Sequence, residues 1–266
     1  MTIAHLVWIL LIGLTLLLAS RAWPLKGRSG GPISANASAS LASGDTFTIG
    51  TYNIHRARGL DGRKDLARIA EVIRETDIVA LQEIEGTSLF RRSDQVSKLA
   101  ALLKRCGHFA PTRKLLFFPQ RGNGLLSRFS IGRWSTKPVF PSTGRAHRSF
   151  TVYELEHPRG LIRILNTHLS KPSEGERPLE VVMQAFASYP RAVLLGDFNA
   201  PFDDSAMRRY LPPDAIDALE GLDQSARRVD MILIRGLVAE AAFTAPAGPS
   251  DHPFYAARIR IKTEDR

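Results

Sequence analysis

Apolar and polar positions alternate over residues 46–54, with Phe47 and Ile49 on one side and Thr46 and Thr48 on the other, which predicts a strand. Residues 64–76 place Leu66, Ile69, Ala70 and Ile73 at helical spacing. The short apolar run 78–81 suits a buried strand. Over 93–106, Val96, Leu99, Ala100 and Leu103 share one helical face, with Gly107 placed to cap its end. Strands are expected at 115–118, 124–127, 151–155 and 161–167. Pro178 opens a helix that runs to Tyr189 and points Leu179, Val182, Met183 and Phe186 inward. Further strands follow at 192–195, 229–234 and 254–261. Many strands and few helices, with several strands adjacent in sequence, predict an α/β chain of two mixed sheets packed face to face with helices outside. No G-x-G-x-x-G follows the first strand, which argues against a dinucleotide-binding fold.

The first residues are of a different material. Residues 3–19 are almost wholly apolar, at the lower edge of the roughly 17–25 needed to span a bilayer. No Lys or Arg precedes this run, whereas Arg21, Lys26 and Arg28 follow it. A secretory signal carries its charge ahead of the apolar run, so residues 1–20 read as an uncleaved transmembrane anchor, with a signal segment as the alternative. The positive-inside rule then leaves the remainder in the cytoplasm; signal cleavage would make it periplasmic or secreted. Residues 27–44 are rich in Gly, Ser and Ala with no acidic residue, so 21–44 reads as a flexible linker and 45–266 as the main domain.

Composition narrows the class. The 266 residues are 44% hydrophobic and 23% charged, an ordinary globular balance that excludes disorder and collagen-like repeats. Cys106 is the single cysteine, which excludes an internal disulfide and a thiolate metal cluster. The formal net charge of +10 favours polyanions or phosphate-bearing surfaces. Basic doublets recur at Arg91-Arg92, Lys104-Arg105, Arg113-Lys114, Arg208-Arg209 and Arg227-Arg228, either as solvated corners or as a polyanion track.

Chemistry gathers where the apolar runs end. They run into Thr51-Tyr52-Asn53-Ile54-His55, Gln82-Glu83, Asn166-Thr167-His168 and Gly196-Asp197-Phe198-Asn199; Asp230 sits inside the apolar run 229–234, and Ser250-Asp251-His252 precedes the last strand. Carboxylates, amides and imidazoles at strand ends are how an α/β enzyme assembles a site. Each alone has a structural reading, as turn former, helix cap or strand-end histidine; the ordered set does not.

Together with Arg228-Val229-Asp230, these elements resemble the ordered motifs of the endonuclease/exonuclease/phosphatase superfamily over residues 45–262. That group includes apurinic endonucleases, pancreatic-type deoxyribonucleases and neutral sphingomyelinases. The resemblance implies a four-layer sandwich of two mixed β-sheets flanked by helices, here preceded by the N-terminal apolar segment. It also implies divalent-metal-dependent hydrolysis of a phosphoester. Glu83 is then the leading ligand for Mg²⁺ (or Mn²⁺), assisted by Asn53 and Asp251, an oxygen set that suits a hard cation. His252 contacts the phosphate, with Asp230 fixing its tautomer; Asp197 and Asn199 position the attacking water, and Asn199 also donates to a phosphate oxygen. Either Asp197 or His252 is the base. His168 matches the group that assists the leaving oxygen in the deoxyribonuclease and sphingomyelinase branches. His55 departs from the family pattern, standing where several members carry an acidic ligand or an arginine. Arg145 and Arg148 are candidates to grip a phosphate, or belong to a solvated loop.

The leading expectation is a phosphodiesterase acting on DNA or RNA. A membrane-associated lipid or small-molecule phosphoesterase is the alternative, favoured by the apolar N-terminus, and an inactive binding module of the same fold is a third. No protein partner is inferable from the sequence.

Overall fold

The computed structural model describes residues 2–20, 22–34, 44–141, 147–222 and 228–262. In chain order the elements are α1 (Ile3–Ser20), β1 (Ala22–Pro24), β2 (Arg28–Gly30), β3 (Thr46–Asn53), α2 (Leu66–Ile73), β4 (Ile78–Glu85), α3 (Gln95–Leu103), β5 (Cys106–Leu115) and β6 (Phe118–Ser127). They continue with β7 (Trp134–Val139), β8 (Arg148–Leu155), β9 (Ile162–His168), α4 (Arg177–Ala187), β10 (Ala192–Asp197), α5 (Ser205–Tyr210), β11 (Ile216–Asp217), β12 (Asp230–Arg235), β13 (Leu237–Ala245) and β14 (Phe254–Ile261). One sheet has the order β1-β5-β6-β4-β3-β14-β13 and the other β11-β12-β10-β9-β8-β7-β2. The pairs β3/β4 and β9/β10 are parallel and sit near the sheet centres.

Side chains two apart on a strand share a face, and this periodicity sorts the core into three layers. Phe47 and Ile49 of β3, Ile78 and Ala80 of β4, Ile164 of β9, Val193 and Leu195 of β10, and Ile232 and Ile234 of β12 meet between the sheets. The alternate set of the first sheet, including Tyr52, Val79 and Leu81, packs under Ile69, Ile73, Val96 and Leu99 of α2 and α3. That of the second, including Leu165, Leu194 and Leu233, packs under Leu179, Val182, Met183 and Phe186 of α4 and Met207 of α5. Helix, sheet, sheet and helix form the expected four layers.

The same two-residue step sets up the site. Followed toward one end of the molecule, each of these inter-sheet faces turns from apolar to polar. Phe47 and Ile49 give way to Thr51 and Asn53, Ile164 to Asn166 and His168, Leu195 to Asp197, and Ile232 to Asp230. The first polar layer is sealed: Gln82 Nε2 donates to Asn166 Oδ1 at 2.9 Å, and Asn166 Nδ2 donates to the Gly124 carbonyl at 2.8 Å. The second polar layer, Asn53, His168, Asp197 and Asp230, is buried as well.

Several elements differ from the sequence reading. The helix expected over 93–106 stops at Leu103 and is capped by Lys104 in the left-handed region (φ 52°). Gly107 instead lies in β5, where an added Cβ would come within 2.8 Å of the Ala100 Cβ, so glycine lets α3 approach the sheet. Residues 115–118 close the β5–β6 hairpin rather than forming a strand of their own, with Leu115 paired to Phe118. Part of the segment read as linker is strand, since β1 adds to β5 at the edge of the first sheet and β2 to β7 at the edge of the second. The helix α1 has 18 residues. At about 1.5 Å per residue it falls short of a hydrocarbon core of roughly 30 Å. No helix among the described residues is long and apolar enough to cross a membrane, so the structure does not support the transmembrane anchor or the membrane location drawn from it.

Gly196 shows how tightly the second sheet closes beside the site. Its φ is 143°, and a Cβ there would lie 1.9 Å from the Thr167 carbonyl oxygen of β9. Gly196→Ala therefore combines a backbone penalty of about 1–3 kcal/mol with a clash against main chain. Urea denaturation is expected to show a loss of more than about 2 kcal/mol; a loss below about 0.5 kcal/mol would mean that β9 and β10 can move apart at no cost.

Candidate active site

Asp197 and Asp230 are the last and first residues of the antiparallel neighbours β10 and β12, and they face each other in register. Both are 2% exposed. Buried charge needs donors, and these come from both sheets. Asn53, at the end of β3, donates from Nδ2 to Asp197 Oδ2 at 3.0 Å. The Asn199 backbone N–H donates to Asp197 Oδ1 at 2.9 Å. His252, on the loop before β14, lies with Nδ1 2.7 Å from Asp230 Oδ2 and Nε2 3.9 Å from Asp197 Oδ2. Asp230 Oδ1 has no hydrogen-bond partner among the described residues.

Local backbone explains these aims. Phe198 is buried and its N–H bonds the Val229 carbonyl at 2.9 Å, which pins the turn after β10. Asn199 then takes a left-handed conformation (φ 51°) and donates from Nδ2 to the Leu169 carbonyl at 2.9 Å, 3.2 Å from His168 Nε2. His168 Nε2 is itself 3.4 Å from Asp197 Oδ2. The Ser250 hydroxyl donates to the Asn53 carbonyl at 2.6 Å, tying the 250–252 loop to the end of β3.

The electrostatics separate four groups of similar chemistry. Burial, reinforced by the Asp230 charge, pushes the Asp197 carboxyl up to about 6. Burial likewise lifts Asp230, against the pull of the His252 hydrogen bond. Burial works against protonated His252, but its hydrogen bond and attraction to Asp230 prevail and raise it to about 9. Burial, with Arg148 and His252 adding positive charge, holds His168 well below its ordinary value. At neutral pH the layer thus contains one imidazolium, one neutral imidazole and a carboxylate poised near its titration.

A cleft of about 360 Å³ opens beside this layer, lined in part by His55, Glu83, Arg148 and His168. Glu83 sits at a bulge where the β4–β6 register shifts, with φ 55°. Bulges re-aim side chains next to sites, and here the carboxylate reaches the cleft with no hydrogen bond or ion pair among the described residues. Asp251 Oδ2 lies 3.3 Å from His55 Nδ1. Arg148 lines the cleft and donates from Nε to Ser170 Oγ at 3.2 Å. Arg145 lies outside the described residues. Separately, Asp197, Asp230 and His252 each offer a ligand atom, all within 4.8 Å of one another, a group able to hold a metal ion. The cleft also gathers Arg56, Arg113 and Arg121. Of these the sequence marked only Arg113, through its doublet with Lys114; Arg121 becomes visible once β5 and β6 are paired, and Arg56 once the segment after β3 is placed beside them.

The family model of the Endonuclease/Exonuclease/phosphatase family matches residues 50–252, and the chain belongs to that family. No match was found among curated protein sequences. Among solved structures, the chain is similar to an endonuclease/exonuclease/phosphatase from Beutenbergia cavernae DSM 12333, with 22% identity, TM-score 0.64 and coverage of 82% of this chain and 72% of that one. It is also similar to humanized D. rerio TDP2, with 17% identity, TM-score 0.59 and coverage of 82% and 100%. The human Nocturnin catalytic domain with bound sulfate matches at 18% identity and TM-score 0.62, over 91% of this chain and 97% of that one. At these identities the likeness is one of fold: a phosphoesterase fold carrying an acidic cluster able to hold a metal.

The charge on His252 can be measured directly. Its ring protons in an NMR titration are expected to shift with a midpoint near 9, and Asp230→Asn should return that midpoint toward the ordinary value of about 6.5. A midpoint unaffected by Asp230→Asn would show that the 2.7 Å contact does not hold the imidazolium.

Proposed function

We propose, taking membership of the endonuclease/exonuclease/phosphatase family as the premise, that the chain hydrolyses phosphodiester bonds in nucleic acid with a divalent metal, most simply Mg²⁺. The observation that carries this reading is the buried Asp197 carboxyl, with His252 Nε2 3.9 Å away on one side and His168, which lines an arginine-rich cleft, 3.4 Å away on the other. A net charge of +10 supports a nucleic-acid substrate, whose affinity is dominated by phosphate contacts.

In this reading Asp197 is the general base. It is ionised above about pH 6, and a base titrating near the working pH balances availability against strength. Asn53 and the Asn199 backbone N–H hold its two oxygens, so the proton of the attacking water goes to a fixed carboxylate. His252, already charged through Asp230, donates from Nε2 to a phosphate oxygen instead of accepting a proton. Arg148 adds a guanidinium on the cleft wall. His168 stays neutral and contributes a hydrogen bond beside the leaving oxygen, and Asn199 aligns it. The carboxylates of Glu83 and Asp251 and the amide oxygen of Asn53 form the all-oxygen donor set that Mg²⁺ favours, and would hold it. The metal when bound offsets phosphoryl charge and stabilises the leaving oxygen.

A second reading, a lipid or headgroup phosphoesterase, draws on α1, whose apolar side chains are exposed along its length (Trp8 66%, Leu17 65%).

Nicking of supercoiled plasmid by the full chain separates these readings. Mg²⁺-dependent nicking is expected, abolished by EDTA and lowered about 10²–10⁴-fold by Asp197→Ala. Equal nicking by the folded Asp197→Ala variant removes Asp197 as the base. No nicking by the native protein, with turnover of phospholipid vesicles instead, assigns the lipid substrate.

A further inference from the structure

The cleft extends beyond the catalytic layer onto the β5–β6 hairpin, and its charge there is one-sided. Arg113 of β5 and Arg121 of β6 are cross-strand partners in the ladder. Like charges directly opposite on neighbouring strands are destabilising, yet both side chains line the same cleft. Arg56 enters from the loop after β3, within a run of three non-glycine residues of positive φ, His55 (42°), Arg56 (63°) and Ala57 (58°). Backbone of this kind is strained and tends to mark ligand-holding segments.

Counter-charge is scarce. Among the described residues Glu83 is the single carboxylate in the cleft lining, and the proposed reaction assigns it to the metal. The nearby Glu85 is already engaged by Lys64 at 2.8 Å and Arg91 at 3.1 Å. Neither Arg56 nor Arg121 has a carboxylate within ion-pair distance among the described residues; the Arg56 guanidinium meets the His55 ring. Burial and the neighbouring Arg56 charge pull the Arg121 guanidinium below its ordinary value, as a cation packed among cations requires.

We propose that Arg56, Arg113 and Arg121 form a second phosphate subsite, separate from the position of the phosphate being cleaved, which takes the neighbouring phosphate along a nucleic-acid strand. Planar guanidinium forks match phosphate oxygens two at a time, and an incoming phosphate anion would relieve the repulsion that the hairpin register creates. This deepens the phosphodiesterase reading and rests on it for the identity of the strand. The binding itself does not require turnover.

The test is equilibrium binding in EDTA, where metal-dependent hydrolysis is suspended. Three probes are compared: the dithymidine phosphodiester, the same with an added 5′-phosphate, and the same with an added 3′-phosphate. One of the two added phosphates is expected to tighten binding at least tenfold. The gain should disappear in the Arg113→Gln/Arg121→Gln double variant and fall in Arg56→Gln, while the unphosphorylated probe binds all three proteins alike, which also reports that the variants are folded. Equal affinity for the three probes overturns the subsite, as does a gain that survives in the double variant, or a parallel loss of the unphosphorylated probe. A protein that shows the gain but does not nick DNA retains the subsite and loses the nuclease reading.

Discussion

Two carboxylates withdrawn from water at facing ends of β10 and β12 set the terms for everything around them. Asp197 and Asp230 sit side by side in the same sheet, both almost fully buried. Two like charges in such a place are sustained only by donors held in fixed positions. The Asn53 amide, the Asn199 backbone and the His252 imidazolium are those donors. The protonation states follow from the same arrangement. One carboxyl is left titrating near neutrality because burial raises it, and one histidine stays charged because it compensates the other carboxylate.

Much of this was legible in the sequence because the relevant signals are local. Alternation predicted β3, short apolar runs predicted β4 and β10, and the helical spacing of Leu179, Val182, Met183 and Phe186 predicted α4 and its buried face. The motif residues were legible because each lies in or beside an apolar run that it interrupts. Other elements depend on partners distant in sequence. β5 carries Pro111, Arg113 and Lys114 and is mostly half-buried, so no clean alternation marks it. β13, at a sheet edge, mixes Ala, Glu and Thr and takes its shape from pairing with β14. β1 and β2 are three residues each and exist as strands only against β5 and β7. Arg121 of the cleft escaped notice for the same reason. Nothing in the sequence puts Arg121 opposite Arg113 until the hairpin register is known.

The position of Glu83 illustrates how a small irregularity completes a regular scaffold. Strict alternation along β4 continues the inter-sheet face with Gln82, which closes the sealed polar layer with Asn166. The bulge after Leu81 breaks the two-residue step and brings the next carboxylate into the open cleft. A strand without the bulge would supply the sealed layer but not the exposed acid.

Asn53 and His252 belong to one sheet, and the carboxylates they hold belong to the other. The site therefore lies on a seam, and neither half of the sandwich contains a working fragment of it. Its hydrogen bonds join chain segments 144 residues apart between Asn53 and Asp197. Substitutions that shift the stacking of the sheets, even deep in the apolar layer, are felt as changes in how these groups meet. The two halves are thereby bound to a shared history: drift in one is constrained by chemistry whose other participant resides across the seam.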